Sequence, residues 1–92
     1  MIQIAVCDDN QDDLARMVSL LDRFKTIRNY HFENFLFTSG LEPLSALEKG
    51  KRFDVYCLDI LMPGYSGMDV AREIRTFDKT APIVFFTSSS EY

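Results

Sequence analysis

Cysteine, histidine, glycine and proline are all scarce in this sequence. Its 92 residues include two cysteines, one histidine, four glycines and three prolines. Cys7 and Cys57 lie inside apolar runs and form no Cys-x-x-Cys spacing, so neither a disulfide framework nor a zinc site is indicated. Reduced, buried thiols are typical of a cytoplasmic protein. The scarcity of glycine and proline, with 47% hydrophobic residues, favours a single ordered domain over a disordered chain.

The sequence also lacks an excess of positive charge and long apolar stretches. A net charge of -4 and a pI near 4.8 provide no basic surface for nucleic acid or for an anionic membrane. No apolar stretch approaches the roughly 18 residues that a membrane span needs, and the N-terminus does not resemble a signal peptide. We therefore expect that this segment binds neither nucleic acid nor a membrane.

Short β-branched or aromatic runs alternate along the chain with helical patterns. Asn10 with Asp13 three residues later is typical of a helix start, and the helix that follows carries one apolar face formed by Leu14, Met17, Leu21, Phe24 and Ile27. The predicted strands span 2–7, 31–38, 53–59 and 83–87, and two more helices are predicted over 41–48 and 68–77. This alternation favours a parallel sheet with right-handed crossovers and helices on both faces.

Three carboxylates lie at the ends of two of the predicted strands. Asp8 and Asp9 follow the first strand, and Asp59 ends the third. Ligands of open α/β sheets bind outside the carboxyl ends of the strands, so we expect these side chains to meet there. Crowded carboxylates raise one another's pKa unless a cation neutralises them, and oxygen ligands suit Mg²⁺, or alternatively Mn²⁺, better than zinc. With the metal bound, Asp59 can stay ionised and attack phosphorus, forming an acyl phosphate.

Several features of the acidic strand ends occur together in the order of a known family. They are the pair Asp8 and Asp9, the aspartate Asp59, the Asp-x-x-Met-Pro-Gly-x-x-Gly loop over 59–67, and Thr87 at the end of the fourth strand. Together they resemble the receiver domain of bacterial response regulators, the phosphoacceptors of two-component systems. The resemblance spans essentially the whole chain, 1–92, as a single receiver domain. It implies a flavodoxin-like (CheY-like) open parallel sheet with strand order 2-1-3-4 and helices on both faces.

The resemblance implies a role for each acidic residue. Asp59 would accept phosphate from a sensor histidine kinase. Asp9 would ligate Mg²⁺ directly and Asp8 mainly through a water molecule, while the backbone carbonyl of Leu61 would complete the protein ligands. On this interpretation the chain is a phosphoacceptor that catalyses only its own phosphorylation and dephosphorylation, and is not otherwise an enzyme.

The resemblance also assigns two hydroxyl residues to the phosphoryl group. Thr87 would bind a phosphoryl oxygen and turn inward on activation. Ser88 follows it at a position where the family has a small residue, which keeps access to the acceptor open.

The family's domain has five βα units, whereas this sequence stops soon after the fourth predicted strand. The lysine that pairs with the phosphoryl group and the switch aromatic of the fifth strand belong to the units that are missing from it. With the fourth strand at the edge of the sheet, the segment 82–86 would then present an apolar surface, and we expect self-association, most simply as a dimer. An output domain outside this segment would regulate transcription, and the aromatic second strand is similar to receivers of LytTR-type regulators.

Two other functions remain open from the sequence. A haloacid-dehalogenase-like phosphatase also uses an aspartate nucleophile and magnesium, but its nucleophile lies in an Asp-x-Asp motif, whereas Asp8 and Asp9 are adjacent. A phosphorylation-independent self-association module with a vestigial acidic site is the other alternative. It predicts that Asp59→Asn changes neither assembly nor metal affinity.

Overall fold

Strands and helices alternate throughout the part of the chain that the computed structural model describes, which is 1–62 and 64–87. Within it the strands are β1 (Ile2–Cys7), β2 (Phe32–Phe37), β3 (Val55–Asp59) and β4 (Ile83–Phe86). The helices are α1 (Gln11–Arg28), α2 (Leu41–Glu48) and α3 (Gly67–Phe77). The element order predicted from the sequence is confirmed.

The strands form one parallel sheet in the order β2-β1-β3-β4. This is the flavodoxin-like order that the resemblance to receiver domains implies, with β1 and β3 at the centre. The register pairs Cys7 of β1 with Leu58 of β3, and Asp59 of β3 with Phe86 of β4. The carboxyl ends of β1, β3 and β4 therefore lie side by side at one edge of the sheet.

The two faces of the sheet have separate cores, because consecutive side chains of a strand point to opposite faces. On one face, Ile4, Val6 and Cys57 pack against Leu14 of α1. On the other face, the strands contribute Ala5, Cys7, Tyr56 and Leu58, which pack beneath α2 and α3 against Leu44, Leu47, Val70, Ala71 and Ile74. α1 therefore covers one face of the sheet, and α2 and α3 cover the other.

Local hydrogen bonds explain where the observed elements differ from the predicted ones. β3 begins at Val55 and not at residue 53. The N–H of Gln3 in β1 donates to the Asp54 side-chain carboxylate at 2.7 Å, and not to a backbone carbonyl as it would in a regular strand pair. α3 begins at Gly67, one residue early, because Ser66 and Asp69 form a capping box. At α1 the predicted cap is present, with Asn10 Oδ1 accepting the Asp13 N–H at 3.0 Å.

The apolar face of α1 is covered along only part of its length. Leu14 is buried, but Phe24 and Ile27 are 49% and 74% exposed. Beside them an open apolar groove of about 250 Å³ runs between α1 and the sheet, lined by Ile2, Ile4, Leu21, Phe24, Tyr30, Phe32 and Val55. Of the helices described, none is both long enough and apolar enough to cross a membrane.

Candidate metal centre

The sheet brings the three candidate carboxylates together at one edge. Asp59 is the last residue of β3, and Asp8 and Asp9 directly follow the neighbouring strand β1. One carboxylate oxygen from each of the three residues lies within 4.8 Å of the other two. This spacing allows a single cation to contact more than one of these carboxylates.

Backbone amides hold the two buried carboxylates of the cluster in place. Asp8 Oδ1 accepts the Asn10 N–H at 2.9 Å, and the Asp8 N–H donates to the Phe37 carbonyl at 3.1 Å. Asp59 Oδ1 accepts the Leu61 N–H at 3.1 Å. Asp8 and Asp59 are buried, whereas Asp9 is exposed. The cluster is thus rigid at its base and open to solvent on the Asp9 side.

Burial and, to a smaller extent, the charge of the cluster disfavour ionisation of Asp8. Burial raises the pKa of Asp8 to about 6, the hydrogen bond from the Asn10 N–H opposes the rise, and the negative charge of Asp59 adds to it. Asp8 Oδ2 is buried and has no hydrogen-bond partner among the described residues. A buried, unsatisfied carboxylate oxygen beside two more carboxylates fits a hard divalent cation such as Mg²⁺.

The other candidate residues lie at the same edge as far as the structure describes them. Leu61 is two residues past Asp59, and its N–H orients that carboxylate; the role of its carbonyl as a ligand stays a prediction. Ile60 donates its N–H to the Phe86 carbonyl at 3.0 Å, which places the exposed Thr87 next to the end of β3. Ser88 lies outside the described residues.

A buried sulfur contact anchors the segment that follows Asp59. Cys7 Sγ donates to the Ser39 carbonyl at 3.3 Å and lies 3.7 Å from Met62 Sδ. Burial raises the pKa of the Cys7 thiol to about 12, with negative charges nearby adding to the effect, so the thiol stays protonated and unreactive. Met62 therefore packs the loop after β3 against β1. Nothing in the sequence pattern indicates this contact.

Comparison with protein families finds a match along almost the whole chain. The family model for the response regulator receiver domain matches residues 4–92. Accessory gene regulator protein A of Staphylococcus epidermidis is 35% identical over 94 residues, which cover 98% of this chain and 39% of that protein. DNA-binding response regulator MtrA of Mycobacterium leprae is 32% identical, with coverage of 97% and 36%. The chain thus spans well under half the length of these relatives.

Solved structures agree with the sequence comparison. Response regulator protein TrrA of Thermotoga maritima, in complex with Mg²⁺ and BeF, is 35% identical and superposes with a TM-score of 0.70, covering all of this chain and 74% of that one. A response regulator receiver domain protein of Clostridium thermocellum is 27% identical with a TM-score of 0.78, and the coverage is 95% and 65%.

Proposed function

Since the chain belongs to the response regulator receiver domain family of two-component systems, we propose that Asp59 accepts a phosphoryl group in a Mg²⁺-dependent reaction. The observation that carries this proposal is the cluster of Asp8, Asp9 and Asp59, in which one carboxylate oxygen from each residue lies within 4.8 Å of the other two. The proposed donor is a sensor histidine kinase in the cytoplasm. The proposed output is transcription, through a domain outside this segment; membership of the LytTR-type subfamily stays a prediction.

The residues of the cluster and its neighbours Leu61 and Thr87 have different roles in the proposed reaction. Asp9, Asp59 and the Leu61 carbonyl would hold Mg²⁺, with Asp8 acting through a water molecule; Mn²⁺ stays an alternative. The bound ion would neutralise charge on the phosphoryl oxygens. A carboxylate oxygen of Asp59 attacks phosphorus, the bond from phosphorus to the kinase histidine breaks, and an acyl phosphate forms. The Leu61 N–H fixes the orientation of the attacking carboxylate, and Thr87 would bind a phosphoryl oxygen.

The metal requirement gives the test of this proposal. The intact mass of the chain is measured after incubation with a small phosphoramidate donor, in Mg²⁺ and, separately, in EDTA. We expect one phosphoryl group to add in Mg²⁺ and none in EDTA, because three crowded carboxylates repel an anionic donor unless a cation neutralises them. Equal labelling in EDTA, or no labelling of a folded chain in Mg²⁺, would count against the proposal.

We also propose that the chain is not an enzyme for external substrates. Asp8 and Asp9 are adjacent, and only Asp8 is buried, so they do not form the Asp-x-Asp arrangement of a haloacid-dehalogenase-like phosphatase. Sustained hydrolysis of an external phosphoester that survives Asp59→Asn would favour the phosphatase instead.

Self-association stays a prediction, and the exposed edge of β4 gives it a test. In the described part of the chain β4 pairs only with β3, and Val84 and Phe85 are 49% and 36% exposed. Because charged residues block pairing between edge strands, Val84→Lys should weaken association about tenfold or more in sedimentation velocity. Leu20→Lys changes an apolar residue on α1 of similar exposure, 57%, and serves as the control. A wild-type chain that stays monomeric at all concentrations would contradict the prediction.

A further inference from the structure

Gly67, the first residue of α3, lies directly against the backbone of the proposed acceptor. Its N–H donates to the Ile60 carbonyl at 3.3 Å. A Cβ built on Gly67 would overlap the carbonyl oxygen of Asp59 and lie 3.0 Å from the Asp59 carbonyl carbon and 3.1 Å from Ile60 Cα. These atoms are backbone and cannot swing aside. Any side chain at Gly67 must therefore move either α3 or the peptide that joins Asp59 to Ile60.

Buried contacts restrict any outward movement of α3. The capping box of Ser66 and Asp69 holds the first turn, and Val70 and Ile74 are fully buried on the inner face of the helix. Moving the helix outward would open the core on this face of the sheet, which costs free energy for every buried side chain that loses contacts. A methyl group at Gly67 would therefore also displace the peptide that follows Asp59, and with it the Asp59 side chain.

We propose that Gly67 is a positioning residue for the metal centre. Its contact with the Asp59–Ile60 peptide sets where the Asp59 carboxylate lies relative to Asp8 and Asp9, and so sets the affinity for Mg²⁺. Such centres work only when their ligands are held to about 0.5 Å, and loss of a supporting contact weakens metal binding about 10–100-fold. The consequence for phosphoryl acceptance rests on the function proposed above, whereas the consequence for Mg²⁺ affinity is measured separately.

The test compares two glycine variants that create steric overlap in different places. In Gly67→Ala the new methyl group meets the acceptor backbone. In Gly40→Ala the new methyl group meets the side chain of Val70, which is also on α3, and none of its three nearest atoms belongs to Asp59. The dissociation constant for Mg²⁺ is measured from amide chemical shifts of each intact chain, together with the melting temperature and the rate of labelling by a small phosphodonor. Both variants should melt at lower temperature, but only Gly67→Ala should bind Mg²⁺ about tenfold or more weakly and label more slowly.

Two results would overturn the inference. One is a folded Gly67→Ala chain that binds Mg²⁺ as wild type does; the other is a loss of affinity in Gly40→Ala as large as that in Gly67→Ala. If Gly67→Ala does not fold, the Mg²⁺ affinity of Ser66→Ala tests the inference instead. This variant removes the capping box at the first turn of α3 without adding an atom. It should weaken Mg²⁺ binding severalfold, and unchanged affinity would overturn the inference. A wild-type chain that binds Mg²⁺ but is never labelled contradicts the proposed function alone, whereas one that binds no Mg²⁺ contradicts both.

Discussion

Asp59→Asn is expected to abolish phosphoryl labelling while the chain stays folded. Asp59 is buried, and its Oδ1 accepts the Leu61 N–H; an asparagine oxygen can accept the same hydrogen bond in nearly the same space. A carboxamide, however, does not attack phosphorus as a carboxylate does. We therefore expect no mass increase for this variant under conditions that label the wild type fully, with a cooperative melting transition in both.

The matched control for this experiment is Asp12→Asn. Asp12 is exposed in the first turn of α1 and is outside the acidic cluster, so its loss should leave labelling unchanged. Asp59→Asn should also weaken Mg²⁺ binding, whereas a phosphorylation-independent module predicts unchanged metal affinity. Labelling of Asp59→Asn at the wild-type rate would show that another residue accepts the phosphoryl group.

Asp8→Asn is expected to stabilise the metal-free chain and to remove most of the stabilisation that Mg²⁺ provides. The raised pKa of Asp8, about 6 against 3.8 for an ordinary aspartate, means that the folded state binds the proton more tightly than the unfolded state. The contribution of Asp8 to stability in EDTA then falls as pH rises from about 4 through 6, and this cost is fully present at pH 7.5. Replacing the buried, unsatisfied oxygen by an amide should recover on the order of 1 kcal/mol, a rise of several degrees in melting temperature for a domain of this size.

The measurement is thermal unfolding of both chains at pH 5 and pH 7.5, in EDTA and in Mg²⁺. In EDTA the wild type should have a higher melting temperature at pH 5 than at pH 7.5. At pH 7.5, Mg²⁺ should reverse this loss of melting temperature. The Asp8→Asn chain should show little of either effect. Asp12→Asn controls for the change of charge and should slightly destabilise α1, because an acidic residue favours a helix N-terminus by a few tenths of a kcal/mol. A wild type whose stability in EDTA is the same at both pH values would contradict the account of Asp8.

The fold could be predicted because the signals for it are local and repeated. Alternating strand and helix patterns determine the order of elements, and short connections between parallel strands leave few topologies. The meeting of Asp8, Asp9 and Asp59 followed from the same reasoning, since parallel strands end at one edge. The strand order 2-1-3-4, which only the family resemblance supplied, is the order observed, and the cluster is where the strand ends place it.

Contacts between segments that are distant in the sequence could not be predicted from it. Nothing in the pattern indicates that Met62 lies against Cys7, or that the backbone of Gly67 touches that of Asp59. The capping box of Ser66 and Asp69 could have been predicted, because Ser-x-x-Asp spacing is typical of a helix start.

The position of the phosphoryl group tests the central claim most directly. The chain is labelled in Mg²⁺ with a small phosphodonor and reduced at once with borohydride, which converts an aspartyl phosphate to homoserine, and the modified residue is identified by peptide mass spectrometry. We predict homoserine at position 59 and at no other aspartate. A label on Asp8 or Asp9, or one on a side chain that borohydride does not reduce, would contradict the assignment of Asp59 as the phosphoacceptor.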